Sequence, residues 1–347
     1  MATILDVARR AGVSTATVSH VINESRVVTP ETKQRVLEAI EALHYRRDGI
    51  ARSLRRSRTG TIGLVVSDIT NPFFSELVRG VEDAIIEKHR DSNLILCNTD
   101  EDTEKERRSV ETLLEKRIDG LIFAPAGGNE SQISHLITRG VPVVMVDRRL
   151  PGVEADAVLV DNVQGAYELT AHLLGLGHRR IGVMRADLRA GSIEERLHGF
   201  EAAMSAAGVP VDPALIVTSP SEVDEATRVA ASLIARPSVQ RPSAVFCTNN
   251  FMTLGMLRAI VQERLRCPQD IAVAGFDDLP WALGFHPQLT AIAQPAYQMG
   301  QVAVDLLFAR MSEGATHPPE QRKLETRLMV RESCGATLVQ PLARSTA

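Results

Sequence analysis

The stretch Ile4-Leu5-Asp6-Val7-Ala8-Arg9-Arg10-Ala11-Gly12-Val13-Ser14-Thr15-Ala16-Thr17-Val18-Ser19-His20-Val21-Ile22-Asn23 decides how the chain begins. Ile4, Val7, Ala8 and Ala11 recur at helical spacing and line one face of a first helix. Gly12 supplies a tight turn, because without a Cβ it enters the left-handed region freely, and Val13 turns inward. Ser14 is placed to cap a second helix whose buried stripe is Val18 and Ile22. Thr29-Pro30-Glu31 then reads as a cap, a first-turn proline and a carboxylate at the positive end of a third helix, which turns Val36, Ile40 and Leu43 inward. Two short helices joined tightly and braced by a third form a helix-turn-helix, which presents its second helix, N-terminal end first, to the major groove.

With Val18 and Ile22 inward, Thr15, Ala16 and His20 are placed to reach base edges. Ala16 can pack on a thymine methyl and His20 can hydrogen-bond a guanine edge. Ser14, Thr17, Ser19 and Asn23 are better placed for phosphate oxygens. The charge distribution agrees. Residues 1–60 hold 11 Lys+Arg against 6 Asp+Glu, a balance of +5, so the totals of 39 and 43 leave 28 against 37, or −9, for the rest. A basic head on an acidic body directs one end of the chain to phosphates. Cys97, Cys247, Cys267 and Cys334 are scattered without a C-x-x-C, so neither a metal site nor a bound cofactor is expected. The first residues carry no basic segment followed by an apolar core, and apolar runs such as Val141 to Val146 are too short to span a bilayer; a cytoplasmic protein with no membrane partner is expected.

From Thr61 onward, short apolar runs alternate with amphipathic stretches. Strands are expected at 62–66, 94–97, 121–124, 143–146, 181–184, 216–218, 244–247 and 271–274. Helices are expected at 72–88, 103–116, 131–139, 163–176, 193–207, 223–235 and 251–263. Alternation of this kind builds doubly wound parallel sheets. The expected fold is therefore an all-α helix-turn-helix head on an α/β body of two such sheets, with a cleft at the strand ends for a small ligand. Asn71-Pro72-Phe73-Phe74 lies at that edge, with one of the adjacent rings free to stack on a ligand and at least one in the core. Asp147-Arg148 ends a strand with a carboxylate and a guanidinium that can grip hydroxyls or an anion. Ser192-x-x-Glu195 reads as a capping box beside the cleft. Trp281 is either a stacking ring or core. With no G-x-S-x-G, P-loop or G-x-G-x-x-G after the first strand, binding is favoured over catalysis.

The segment from Ala2 to Ser14 and that from Thr17 to Asn23, together with the body pattern, resemble the lactose/galactose repressor (LacI/GalR) family; the head is most similar to its purine-repressor branch. The resemblance spans nearly the whole chain. It implies a ligand-responsive repressor, not an enzyme, that binds a palindromic operator as a homodimer and a small effector between two subdomains of a periplasmic-binding-protein-like body. It divides the chain into a head (1–47), a hinge (48–60), a body (61–340) and a tail (341–347). The first subdomain would be 61–161 plus 291–321 and the second 162–290 plus 322–340. The hinge would pair with its twin in the minor groove, with Arg52 and Arg55 near the backbone and Leu54 wedged between base pairs. Arg196 and Asp277 match the family's polar effector anchors. Two departures matter: Asn249-Asn250 stands where many relatives have Asp, and Arg148 stands where the purine branch has an aromatic. Because Arg148, Arg149, Arg185, Arg189 and Arg196 cluster near the cleft, a sugar or sugar acid is expected rather than a purine, contacted by Asn71, Phe73, Phe74, Asp147, Arg148, Ser192, Arg196, Asn250, Asp277 and Trp281. A transport-type sugar-binding protein and an α/β enzyme acting on a sugar are the competing readings; the expected lack of a signal peptide and the basic head argue against the first, and the lack of a nucleophile motif or phosphate loop against the second. The tail lacks leucine heptads, which favours a dimer over a tetramer.

Overall fold

A computed structural model describes residues 2–23, 26–45, 59–187, 191–279, 284, 286–314 and 317–336. The hinge residues Arg52, Leu54 and Arg55, together with Arg189, Trp281 and the tail 341–347, lie outside the described residues. The chain divides into two compact units, Met1–Thr59 and Gly60–Ala347.

In the first unit, α1 (Ile4–Ala11) starts at Thr3, whose hydroxyl accepts from the Asp6 amide at 3.3 Å while the Asp6 carboxylate accepts from the Thr3 amide at 2.9 Å. This reciprocal cap satisfies two donors that the helix leaves unpaired. The helix stops at Gly12, with φ 65°. Ser14 caps α2 (Thr15–Asn23), its Oγ accepting from the Thr17 amide at 3.1 Å. Thr29 caps α3 (Pro30–Ala42). Val7, Ala8, Ala11, Val18, Val21, Val36 and Ala39 form the core, with Ile4, Val13, Ile22, Ile40 and Leu43 packed around it. The buried stripe of α2 therefore runs through Val18 and Val21, and Ile22 is only half-buried. The expectation of Ile22 needs this correction because α2 packs against both other helices, which widens its enclosed sector toward Val21.

The second unit is built in chain order from β1 (Thr61–Val66), α4 (Pro72–Lys88), β2 (Asn93–Asn98), α5 (Thr103–Glu115), β3 (Gly120–Phe123), α6 (Glu130–Thr138), β4 (Val143–Val146) and β5 (Asp156–Val160). It continues with α7 (Asn162–Gly175), β6 (Ile181–Ala186), α8 (Gly191–Ala206), β7 (Ile216–Ser219), α9 (Val223–Ile234), β8 (Ala244–Cys247), α10 (Asn250–Gln262) and β9 (Ala272–Phe276). It ends with β10 (Thr290–Ala293), α11 (Ala296–Glu313), β11 (Gln321–Leu324) and β12 (Arg327–Met329). Among the described residues, two six-stranded sheets form, in the orders β11-β5-β4-β3-β1-β2 and β12-β10-β9-β8-β6-β7. All pairings are parallel except β10 with β12. The two orders are the same order repeated, so β1 corresponds to β6 and β4 to β9.

Each sheet has a hydrophobic cluster on both faces. The first packs α4 and α11 on one side and α5 and α6 on the other; the second packs α7 and α8, then α9 and α10. Strands covered on both faces read as continuous apolar runs, which is why β4 and β8 were legible as Val-Val-Met-Val and Ala-Val-Phe-Cys. The chain passes between the sheets after β5, after β10 and after β11. The last two passages fall later than the expected boundaries at 291 and 322. Thr290–Ala293 is still paired with β9, and Gln321–Leu324 with β5, before the chain leaves each sheet. Among the described residues no helix is long and apolar enough to cross a membrane.

The α4–α11 contact is backbone-close. A Cβ on Gly300 would fall 2.3 Å from the Leu77 carbonyl oxygen and 2.8 Å from the Val81 nitrogen. Gly300→Ala is expected to destabilise the body by about 1–3 kcal/mol through overpacking, read as a lower midpoint in urea unfolding.

Candidate effector cleft and DNA-reading head

Both sheets aim the C-terminal ends of their strands at one another, and the residues that end those strands line a narrow cavity of ≈ 30 Å³. That is room for about one or two waters. A larger recess of ≈ 390 Å³ adjoins it through Phe73, Asp277 and Gln294. The cleft is latched shut: Asn250 Nδ2 donates to Asn71 Oδ1 at 2.5 Å, joining the start of α10 to the start of α4. Asn71 Oδ1 also accepts from the Phe73 amide at 3.0 Å, so it is the amide nitrogen of Asn250 that must face it. The remaining carboxamide oxygen of Asn250 is buried with no hydrogen-bond partner among the described residues, as is Gln294 Oε1. Unpaired buried acceptors are costly, and each is poised for an O–H or N–H donor.

The two aspartates are matched by the repeated strand order. Asp147 follows β4 with φ 66°, and Asp277 follows β9 with φ 79°. Each donates its backbone N–H to the neighbouring strand, Asp147 to Val158 at 3.1 Å and Asp277 to Ile292 at 2.9 Å. Left-handed backbone at two non-glycine residues is strain held at a site. Burial raises the Asp277 carboxyl above its ordinary range, partly offset by Arg196 and by the hydrogen bond from Gln294. Arg196 is 3% exposed, on α8. It donates from Nε to Asn162 at 2.9 Å and from Nη1 to the Thr248 carbonyl at 2.7 Å, and lies 3.8 Å over the Phe276 ring. Burial lowers its pKa, and Asp277 and Asp147 oppose that.

Arg148 is equally buried and differently engaged. Its Nη1 and Nη2 each donate to Glu101 at 2.7 Å, Nε donates to Asp147 at 2.9 Å, and Nη1 also reaches the Pro125 carbonyl at 3.1 Å. Burial would lower its pKa, but Glu101 and Asp147 outweigh burial and hold it above the ordinary value. Phe73 and Phe74 meet edge to face at 5.0 Å; both are buried in the first-sheet core and both border the cavity. Ser192 lies in the first turn of α8 at the cavity wall. The expected capping box does not form there, because the helix already includes Gly191, which puts Ser192 inside the first turn, and Glu195 accepts from Asn162 Nδ2 at 2.9 Å.

The structure thus brings together Asn71, Phe73, Phe74, Asp147, Arg148, Ser192, Arg196 and Asp277 at one cavity, with Asn250 at its latch. Sequence reading missed Asp68, Glu101, Ile193, Ser221, Phe251 and Gln294, which also line it, and noted Asn249 without placing it in the contact set. Glu101 and Asn249 follow β2 and β8, so the rule that ligands meet strand ends could have found them. The inference from clustered arginines needs correction. Arg149 is exposed, Arg185 is paired with Glu194, and Arg148 is paired with two carboxylates. Against Arg148 and Arg196 the cavity wall sets Asp68, Glu101, Asp147 and Asp277.

In the head, Ser14, Thr15 and Ala16 are exposed, while Thr17, Ser19 and His20 are half-buried. Ser14 Oγ and Thr17 Oγ1 are hydrogen-bonded at 2.9 Å. The Asn23 side chain lies outside the described residues.

A helix-turn-helix unit and a two-sheet body with a polar cavity at facing strand ends define a ligand-responsive, sequence-specific DNA-binding regulator of transcription. Residues 3–48 match the family model described as bacterial regulatory proteins, lacI family, and residues 170–334 match that of a periplasmic binding protein-like domain. The chain is 38% identical over 335 residues to the ribose operon repressor of Escherichia coli (strain K12), covering 96% of this chain and 100% of that one. It is 36% identical over 334 residues to the transcriptional repressor PurR of Photobacterium profundum, covering 96% and 98%. Among solved structures, a complex of the regulator CelR with cellobiose is 32% identical with a TM-score of 0.71, covering 96% of this chain and 100% of that one. The chain belongs to the lacI family. Similar identity to the ribose operon repressor and to PurR leaves the choice of effector to the chemistry of the cleft.

The raised Asp277 pKa has a stability consequence. A carboxyl whose folded pKa lies above its unfolded value favours the fold most below the unfolded value, and that contribution is lost as pH rises through the folded one. Asp277→Asn is therefore expected to raise the melting temperature relative to the parent at neutral pH, with the gap closing in acid, while weakening effector binding. Melting curves of both proteins from acid to neutral pH check this.

Proposed function

We propose that the protein is a cytoplasmic, homodimeric repressor that reads two half-sites of a near-palindromic operator and binds a small neutral sugar between its two sheets. The cleft carries the second part of this reading. Its free acceptors and surplus carboxylates suit the hydroxyls of a polyol, its less engaged guanidinium, Arg196, suits a ring or hydroxyl oxygen, and Phe73 offers an apolar face for the ring. A sugar acid would add negative charge to a wall where four carboxylates face two arginines. Asn71, Phe74, Asp147, Arg148, Ser192, Asn250, Asp277 and Gln294 complete the contact set. The relatives include a ribose operon repressor and the repressor PurR, and the bound cellobiose of CelR supports the sugar reading.

For the head, Thr15, Ala16 and His20 read bases, and Ser14, Thr17, Ser19 and Asn23 hold phosphates. Two-fold symmetry of a dimer matches palindromy of the site. Leu54, with Arg52 and Arg55, acts in the minor groove at the centre. The protein acts through binding and not through turnover.

Calorimetry with neutral aldopentoses, aldohexoses, the matching sugar acids, hypoxanthine and guanine tests the effector assignment. Binding of a neutral sugar is expected; tight purine binding with no response to sugars would contradict it. His20→Ala is expected to cost about 1–3 kcal/mol of discrimination between operator and random duplex with little change in non-specific affinity, measured by competition anisotropy.

A further inference from the structure

We propose that Glu101 determines which charge of ligand the cleft accepts, by occupying the fork of Arg148 and leaving that guanidinium unavailable to an anion. This rests on the effector reading above and deepens it. A free guanidinium presents two parallel N–H donors to a carboxylate or phosphate, and is the side chain best shaped for that task. In this cleft the fork is already filled. Glu101 Oε1 and Oε2 each accept from a different terminal nitrogen of Arg148 at 2.7 Å, Asp147 takes Nε and Pro125 takes a further N–H. Four of the five N–H groups are thereby committed.

The placement of Glu101 is specified by the backbone. It follows β2 with φ 58°, immediately after Asp100 with φ 52°, two successive non-glycine residues in the left-handed region. Its amide donates to the Ser67 carbonyl at 3.0 Å, which ties the turn to the end of β1. Such a turn brings the carboxylate from the edge strand β2 toward Arg148 beyond β4, three places away across the first sheet. The Glu101 side chain is only 20% exposed and that of Arg148 6%, so the pair is little screened by solvent. The other charged groups of the cavity wall point to the same outcome. Asp68, Asp147 and Asp277 are acidic, and Arg196 has Asp277 and Asp147 beside it and the Phe276 ring below. With Glu101 charged, Arg148 is neutralised by two carboxylates; with that charge removed only Asp147 remains ion-paired to it, and the two terminal nitrogens can exchange a weaker carboxamide contact for an anion.

The test is calorimetric titration of the full chain, parent and Glu101→Gln, with inorganic phosphate and with a panel of neutral aldopentoses and aldohexoses. Glu101→Gln is expected to bind phosphate about tenfold more tightly than the parent, equivalent to about 1.4 kcal/mol. The double variant Glu101→Gln/Arg148→Met should lose that gain, which assigns it to the released guanidinium. If Glu101→Gln does not fold, Glu101→Asp, whose side chain is one methylene shorter and holds its carboxylate farther from Arg148, should show a smaller gain of the same sign. Phosphate binding equal in the parent and in the folded variant, or a gain that survives Arg148→Met, would overturn the proposal. A phosphate gain with no neutral sugar bound by either protein would leave the role of Glu101 standing and refute the sugar effector instead.

Discussion

Parallel strands covered by helices on both faces leave a sheet only one place to meet a ligand, the edge where the strands end. In this body that constraint acts twice. Two sheets of the same strand order are set with those edges facing, and the polar groups of the cleft, Arg196 in the second turn of α8 apart, are strand-end or helix-start residues of one or the other. The matched pair Asp147 and Asp277 expresses the repetition most directly, with both residues left-handed and both pinned by their own N–H to the next strand. Polar groups gathered in this way satisfy each other only in part. The latch between Asn71 and Asn250 closes the cavity but leaves a carboxamide oxygen unpaired, so the closed cleft holds a deficit that a hydroxyl donor would relieve.

The same arrangement would let a bound ligand bias the spacing of the two sheets. Three chain passages join the sheets, after β5, β10 and β11, and Gln294 sits on the second of them while donating to Asp277. A ligand held by Asp277, Arg196 and Asp147 contacts both sheets, so its affinity depends on how far apart they stand. A conformational equilibrium shifts only by the difference in ligand affinity between its states. A few kcal/mol suffices, and releasing two buried unsatisfied acceptors is of that order, at about 1–3 kcal/mol each.

Much of this was legible in the residues. The head could be read almost complete, because caps, a turn glycine and apolar spacing are local signals: Ser14, Gly12 and Thr29 all do what their chemistry suggests. The central strands of both sheets were legible for the opposite reason, full burial, which makes β4 and β8 unbroken apolar runs. The late strands were not. Gln321–Leu324 reads Gln-Arg-Lys-Leu, a largely exposed edge segment with no apolar signature, and only pairing with β5 makes it a strand. In the site, single strand-end residues such as Asp147 and Asp277 were found, and so was Arg196, but pairings were not. Nothing in the order of residues says that Glu101, 47 positions before Arg148, fills its fork. That partnership reverses the charge argument drawn from counting arginines.

The central claim is that occupancy of the cleft and occupancy of DNA are one linked equilibrium. It is tested most directly by measuring effector affinity twice by calorimetry, on the free protein and on the protein saturated with its operator duplex. Linkage requires the ratio of the two affinities to equal the ratio of operator affinities with and without effector. The expected result is a ratio well removed from one, matching in both directions. Equal effector affinity in the presence and absence of operator would contradict the account.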